Sequence, residues 1–287
     1  MSRAKSALAV STLIVKSIEL DIRLMRIGAL PRVWRIRFIL LKYVTLLRLR
    51  AGRPRLLRVG PTAFWLRNYS GLGTLQSTIT DFFDEVVALG VLGSEPVVVD
   101  VGANIGQFTN AAKLFFPNSR VLAFEPDPET FADLRRNTRM FSDVDLFNLG
   151  LGDSNCSLMF YQHELSLMSS FASGGSDIRG SVELPVRRLD ALLDSDMAID
   201  LLKIDVEGFE RAVLEGGWSA VSRSRYLLVE ISLGRSAYAG NLELLRAVVD
   251  HIPDATIMKF GRPLGGGRRP ACQDVLIAVG GSHQRDG

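Results

Sequence analysis

VVVDVGANIGQF, residues 97–108, decides the fold. Val97 to Val99 form a short β-branched run of the kind that builds a strand buried on both faces. Gly102 allows a tight exit from that strand, and Gly106 lets a helix start close to a ligand. An acidic residue followed by two glycines at a strand-to-helix turn therefore predicts an opened backbone with something lying across it.

Outward from this turn the chain alternates regularly between apolar runs and amphipathic segments. The pattern predicts strands at 97–101, 120–124, 144–149, 199–205, 226–231, 255–260 and 273–279. Helices fall at 105–115, 128–139, 207–216 and 240–251, with a further one at 77–89 that ends at Gly90. Such alternation implies a parallel sheet covered by helices on both faces. Two places break the rhythm. Residues 154–190 read as extra strands around a Ser/Gly-rich loop, and GRPLGGGRRPAC is too short for a helical crossover, so the last strand returns antiparallel.

In an open parallel sheet a ligand lies beyond the carboxyl ends of the strands, where the strand order reverses. That rule selects Asp100, Gly102, Asn104 and Gly106 in the first loop, with Glu125 after the second strand as acceptor for a ribose diol. Asp153, after the third strand, would accept from an adenine amino group. Asn104 stands where a dinucleotide loop needs its second glycine, which argues against an NAD(P)-dependent oxidoreductase, one of two alternative readings. A carboxylate at Asp100 would repel a pyrophosphate but suit an ammonium and a sulfonium, which favours S-adenosylmethionine. In LLKIDVEGFE, residues 201–210, Lys203 and Asp205 project to one side of a strand. A buried lysine needs a carboxylate beside it, and Asp205 is the nearest candidate. Glu207 is expected at the N-terminus of the following helix, and Glu230 lies one strand over from Asp205.

The composition sets the surroundings. The chain has 287 residues, 47% of them hydrophobic, enough for a full core. The two cysteines lack disulfide spacing and suit a reducing compartment, and the three histidines lack zinc-ligand spacing. Residues 1–60 carry fourteen Lys or Arg against Glu19 and Asp21, a net +12, whereas the rest has 20 basic and 29 acidic residues, so the overall +3 conceals a split. We read 1–60 as a basic helical extension and 61–287 as the domain proper. ALAVSTLIV, residues 7–15, ends at Lys16 without a cleavage signal, and no window is long enough to span a bilayer. The extension can lie on anionic lipid or pack on protein; no nucleic-acid motif accompanies its charge. A cytoplasmic location follows, peripheral at the inner membrane face if lipid is bound.

DVGANIGQF, FEPDPETFADLRRN, LGLGDS, VRRLDALL, DLLKIDVEGFERAVLEGG and LLVEIS follow one another in the order seen in the FkbM family of S-adenosylmethionine-dependent O-methyltransferases. The chain resembles that family over about residues 77–279. The resemblance implies a class I methyltransferase fold, Rossmann-like, with strand order 3-2-1-4-5-7-6 and strand seven antiparallel. It implies methylation of a hydroxyl, often on a sugar of a glycolipid or other glycoconjugate. In many members a histidine follows VEI, where this chain has Ser232. Asp205 is then the expected general base, with Lys203 orienting it and Glu207 nearby. If a divalent metal takes part, Asp205 and Glu230 would hold it, but no third ligand is evident in the sequence. A non-catalytic adenosine-binding module is the other alternative. Acceptor recognition is expected from 154–190 and from GRPLGGGRRPA; His163 could accept a proton but reads more readily as a surface or packing residue, and Arg262, Arg268 and Arg269 could attract an anionic substrate but read more readily as a solvated loop.

Overall fold

The computed structural model describes residues 17–50, 55–66, 69–83, 86, 90, 92–163, 171, 178–232, 241–260 and 272–280. Arg262, Arg268 and Arg269 and the apolar run 7–15 lie outside them.

The central sheet contains β3 (Val97–Val101), β4 (Arg120–Phe124), β5 (Val144–Phe147), β9 (Ile199–Ile204), β10 (Ser224–Ser232), β11 (Thr256–Phe260) and β12 (Cys272–Ala278). Its order is β11-β12-β10-β9-β3-β4-β5. β12 runs antiparallel to both β10 and β11, and the remaining pairs are parallel. This is the expected arrangement, including the antiparallel closing strand. Side chains alternate between two cores. Val98, Val121, Leu201 and Leu228 face one apolar cluster, while Val99, Leu122, Leu202 and Leu227 face the other. Helices α4 (Gln107–Phe115) and α5 (Pro128–Thr138) follow β3 and β4. Helices α6 (Glu210–Glu215), α7 (Trp218–Arg223) and α8 (Asn241–His251) follow β9 and β10 and pack on the second cluster. β6 (Gly150–Leu151), β7 (Cys156–His163) and β8 (Ile178–Arg187) form a separate three-stranded sheet; β7 and β8 are the extra strands expected within 154–190, and β6 is a short strand ahead of that stretch.

The N-terminal part is more structured than its sequence suggests. Helices α1 (17–26) and α2 (Arg32–Arg50) precede a hairpin of β1 (Arg55–Val59) and β2 (Thr62–Leu66), then α3 (Tyr69–Ser77), which continues as a π-helical turn over Thr78–Phe83. Residue 60, the expected end of the extension, is the hairpin turn, and one apolar cluster runs from Leu24 and Phe38 through Leu57 to Val98 and Leu201. Periodicity predicts Ile14, Ile18 and Met25 opposite a polar face formed by Lys16, Glu19, Arg23 and Arg26, of which Ile14 and Lys16 lie outside the described residues. In the structure Leu24, Ile27 and Asp21 are buried instead, and Ile18 is exposed. Asp21 is accommodated because Lys42, Gln76 and Tyr43 all donate to its carboxylate. Burial lowers the Lys42 pKa despite that partner.

Candidate functional site

The carboxyl ends of β3, β4 and β9 meet where the strand order reverses. After β3 the chain turns so tightly that a Cβ on Gly102, at φ +79, would sit 1.9 Å from the Asp205 carbonyl oxygen. The Gly102 and Ala103 N–H groups both donate to the Phe124 carbonyl, at 3.0 and 2.9 Å. Asn104 adopts a left-handed φ of 50°. Its side-chain oxygen accepts the Ile105 N–H at 2.8 Å, the local bond that lets asparagine replace glycine in this conformation. Gly106, at φ 90°, caps α4.

Asp100 and Lys203 are register partners on adjacent strands. Asp100 is fully buried: Oδ2 accepts the Thr109 hydroxyl at 2.6 Å, and Oδ1 lies 3.1 Å from Lys203 Nζ. Asp100 is thus closer to Lys203 than Asp205 is, at 3.5 Å, and it lies under the loop rather than in the cleft. Lys203 also donates to the Gly102 carbonyl at 2.8 Å and sits over the Phe108 ring. Burial alone would lower its pKa, but Asp100 and Asp205, with Asp274 further off, outweigh burial and raise it. Lys203 therefore stays cationic, tying the exits of β3 and β9 together beside Asp205.

Glu125 lines the cleft and is 6% exposed. One carboxylate oxygen accepts the Asn104 N–H at 2.9 Å, and the other accepts the Asp127 N–H at 2.9 Å. Burial pushes the Glu125 pKa up to about 8, against the pull of these two N–H groups. Each oxygen keeps a second lone pair, so the pair suits the two adjacent hydroxyls of a ribose.

Asp205, Glu207 and Glu230 bring their carboxylates within 4.8 Å of one another. Val229 pairs with Ile204, which sets Glu230 beside Asp205. Glu207, expected from the sequence only at a helix N-terminus, is the third carboxylate of this group. It projects from a strained turn, at φ 54° and followed by Gly208 at φ 102°. A glutamate in left-handed conformation costs roughly 1–2 kcal/mol, and such strain gathers at functional sites. The following helix begins at Glu210, three residues later than periodicity predicts. Buried Glu210 accepts the Val206 and Gly208 N–H groups, holding the turn open before the helix, and burial raises its pKa.

The walls are apolar: Phe124, Leu149, Leu151 and a cluster of Phe160, Phe171 and Phe209. Ring centroids are 5.0 Å apart for Phe160–Phe171 and 5.5 Å for Phe171–Phe209. Neither this cluster nor Glu210 emerges from the sequence reading; Phe171, the lone aromatic in a Ser/Gly loop, was the available signal. Asp153 is exposed, accepts the Ser154 hydroxyl at 2.8 Å, and is not among the residues lining the cleft.

A parallel sheet reversing between β3 and β9, with β12 inserted antiparallel beside β10, defines a class I methyltransferase. Residues 100–256 match the methyltransferase FkbM domain. The chain belongs to that family. It is 28% identical over 204 residues to the 2-O-methyltransferase NoeI of Sinorhizobium fredii, covering 64% of this chain and 79% of that protein. The hexuronic acid methyltransferase AglP of Haloferax volcanii is 32% identical over 143 residues, covering 49% and 57%. The 31-O-demethyl-FK506 methyltransferase FkbM of Streptomyces tacrolimicus is 35% identical over 153 residues, covering 42% and 58%. The chain thus spans less than two thirds of the length of the last two relatives. Among solved structures, an rRNA methylase from Streptococcus thermophilus covers 75% of this chain and 98% of its own, at 14% identity and a TM-score of 0.42.

Proposed function

We propose that the cleft holds S-adenosylmethionine and that the protein methylates a hydroxyl, on a sugar of a glycolipid or other glycoconjugate. The observation that carries this reading is Glu125, a buried carboxylate whose two oxygens are each fixed by one backbone N–H at the edge of the cleft. When bound, the donor supplies an electrophilic methyl group on a sulfonium. Glu125 would accept both ribose hydroxyls, and Phe124, Leu149 and the Phe160–Phe171–Phe209 cluster would exclude water around the base. Asp205, 38% exposed at its side chain and steadied by Lys203, would take the proton of the acceptor hydroxyl. NoeI and AglP, by their names a 2-O- and a hexuronic acid methyltransferase, support a hydroxyl on a carbohydrate.

The Asp205–Glu207–Glu230 arrangement supports a second route, in which these carboxylates would hold a divalent metal such as Mg²⁺, which would supply Lewis-acid polarisation of the acceptor oxygen. Chelation separates the routes. A proton-acceptor role for Asp205 leaves turnover intact after EDTA treatment, whereas a metal role abolishes it and Mg²⁺ restores it.

Incubating the protein with methyl-labelled donor and fractionated cell glycoconjugates tests the function. Label is expected in a carbohydrate-bearing fraction. Donor binding without label in any fraction would favour a non-catalytic module, and NAD binding without donor binding would favour an oxidoreductase.

A further inference from the structure

Helix α2 is apolar on two opposite faces. Inward, Phe38 is buried in the N-terminal cluster and the half-buried Trp34 packs against it. Outward, Val33, Leu40 and Leu47 are 65, 64 and 70% exposed, with Ile36 and Tyr43 also open. Their spacing at 33, 36, 40, 43 and 47 puts them in one stripe along a helix of about 28 Å. On α1, Ile18 and Ile22 are about half exposed. Isolated exposed apolar residues are ordinary, but a continuous stripe on a helix already anchored by its other face marks an interaction surface.

Charge identifies the occupant. Arg26, Arg32, Arg37 and Arg48 are exposed on these two helices, and the first 60 residues carry a net +12. Asp21 does not offset the exposed arginines, because it is buried against Lys42. A second copy docking through the same stripe would set arginines against arginines. An anionic lipid surface satisfies both parts, taking the apolar residues among its acyl chains and the arginines among its headgroups.

We propose that α1 and α2 form a docking face for anionic membrane, lying in the plane of the interface. Among the described residues no helix is long and apolar enough to cross a membrane. The proposal rests on exposure and charge alone and is independent of the methyl-transfer reading.

The test is co-sedimentation of the full chain with vesicles of phosphatidylcholine alone, or with about a third phosphatidylglycerol, without donor or acceptor. Binding is expected to the anionic vesicles only and should weaken as salt rises. L40E/L47E alters two largely exposed side chains and should weaken binding at least about tenfold, while R32Q/R37Q should weaken it about fivefold per charge. Circular dichroism and the thermal unfolding midpoint should match the unmodified chain in both variants. Failure to bind anionic vesicles would overturn the proposal, as would equal sedimentation of L40E/L47E. So would a dimer, seen by light scattering, that L40E/L47E dissolves, since the stripe would then serve a second copy.

Discussion

Asp205, Glu125 and Gly102 carry the account at the scale of single residues. Asp205→Asn keeps the shape of the side chain but removes the proton acceptor. Turnover should fall by at least about 10²-fold while S-adenosylhomocysteine affinity, read by calorimetry, changes less than about twofold. Glu125 makes a prediction about pH. Its pKa is raised by burial to about 8 in the free protein, and ribose hydroxyls donating to the carboxylate would lower it in the complex. The ligand then favours the ionised form, so affinity should rise with pH up to about 8 and level off above it. 5′-Methylthioadenosine is the probe to titrate, because it has the ribose and adenine but no amino acid group to ionise in that range. The same raised pKa costs stability as pH climbs from 4.5 to about 8, since the folded state holds a proton that the unfolded chain releases. Gly102→Ala would force a Cβ to within 1.9 Å of the Asp205 carbonyl at a positive φ, and should cost on the order of 3 kcal/mol in denaturant unfolding. The acids and glycines were legible in the sequence as types at strand ends. That Asp100 is sealed beneath the loop was not, because its burial depends on α4 supplying Thr109 from across the turn.

At the level of elements, the strands were readable because buried parallel strands are continuous apolar runs, and β3 and β4 match their expected limits. α6 starts later than periodicity predicts for a specific reason: Glu210 accepts the Val206 and Gly208 N–H groups, so residues with helical spacing form a turn instead. The buried face of α1 differs from the periodic expectation for a related one. Asp21 counts as polar by its side chain, but Lys42 and Gln76 from α2 and α3 make its burial tolerable. Pairing of this kind is invisible to a periodicity argument. It is testable, since Lys42→Met would leave the Asp21 carboxylate buried without its cation, at a cost of about 3–5 kcal/mol. D21L/K42M, which removes both charges, should cost much less, and urea midpoints of the two variants would show the difference.

Across the whole molecule, α1 and α2 are part of the fold as well as a surface. Leu24, Ile27, Leu30 and Phe38 are each no more than 3% exposed in the cluster that also holds Val98 and Leu201. Burying each contributes roughly 1.5–3 kcal/mol, a sum comparable to the whole stability of an ordinary domain. A chain beginning after residue 50 should therefore aggregate or melt far lower, as thermal unfolding with light scattering would record. The charge split marked these helices as distinct in the sequence, while their shared core could be seen only once the β1–β2 hairpin was in place. The strand order likewise came from resemblance, since periodicity finds strands without ordering them. What joins the scales is a nucleoside cup at the ends of β3, β4 and β9. Its most direct test is isothermal calorimetry of the full chain with S-adenosylhomocysteine, alongside Glu125→Ala. Saturable one-site heat for the unmodified chain, lost in the variant while circular dichroism is unchanged, is the expected result; no heat with this ligand and clean saturation with NAD would contradict the account.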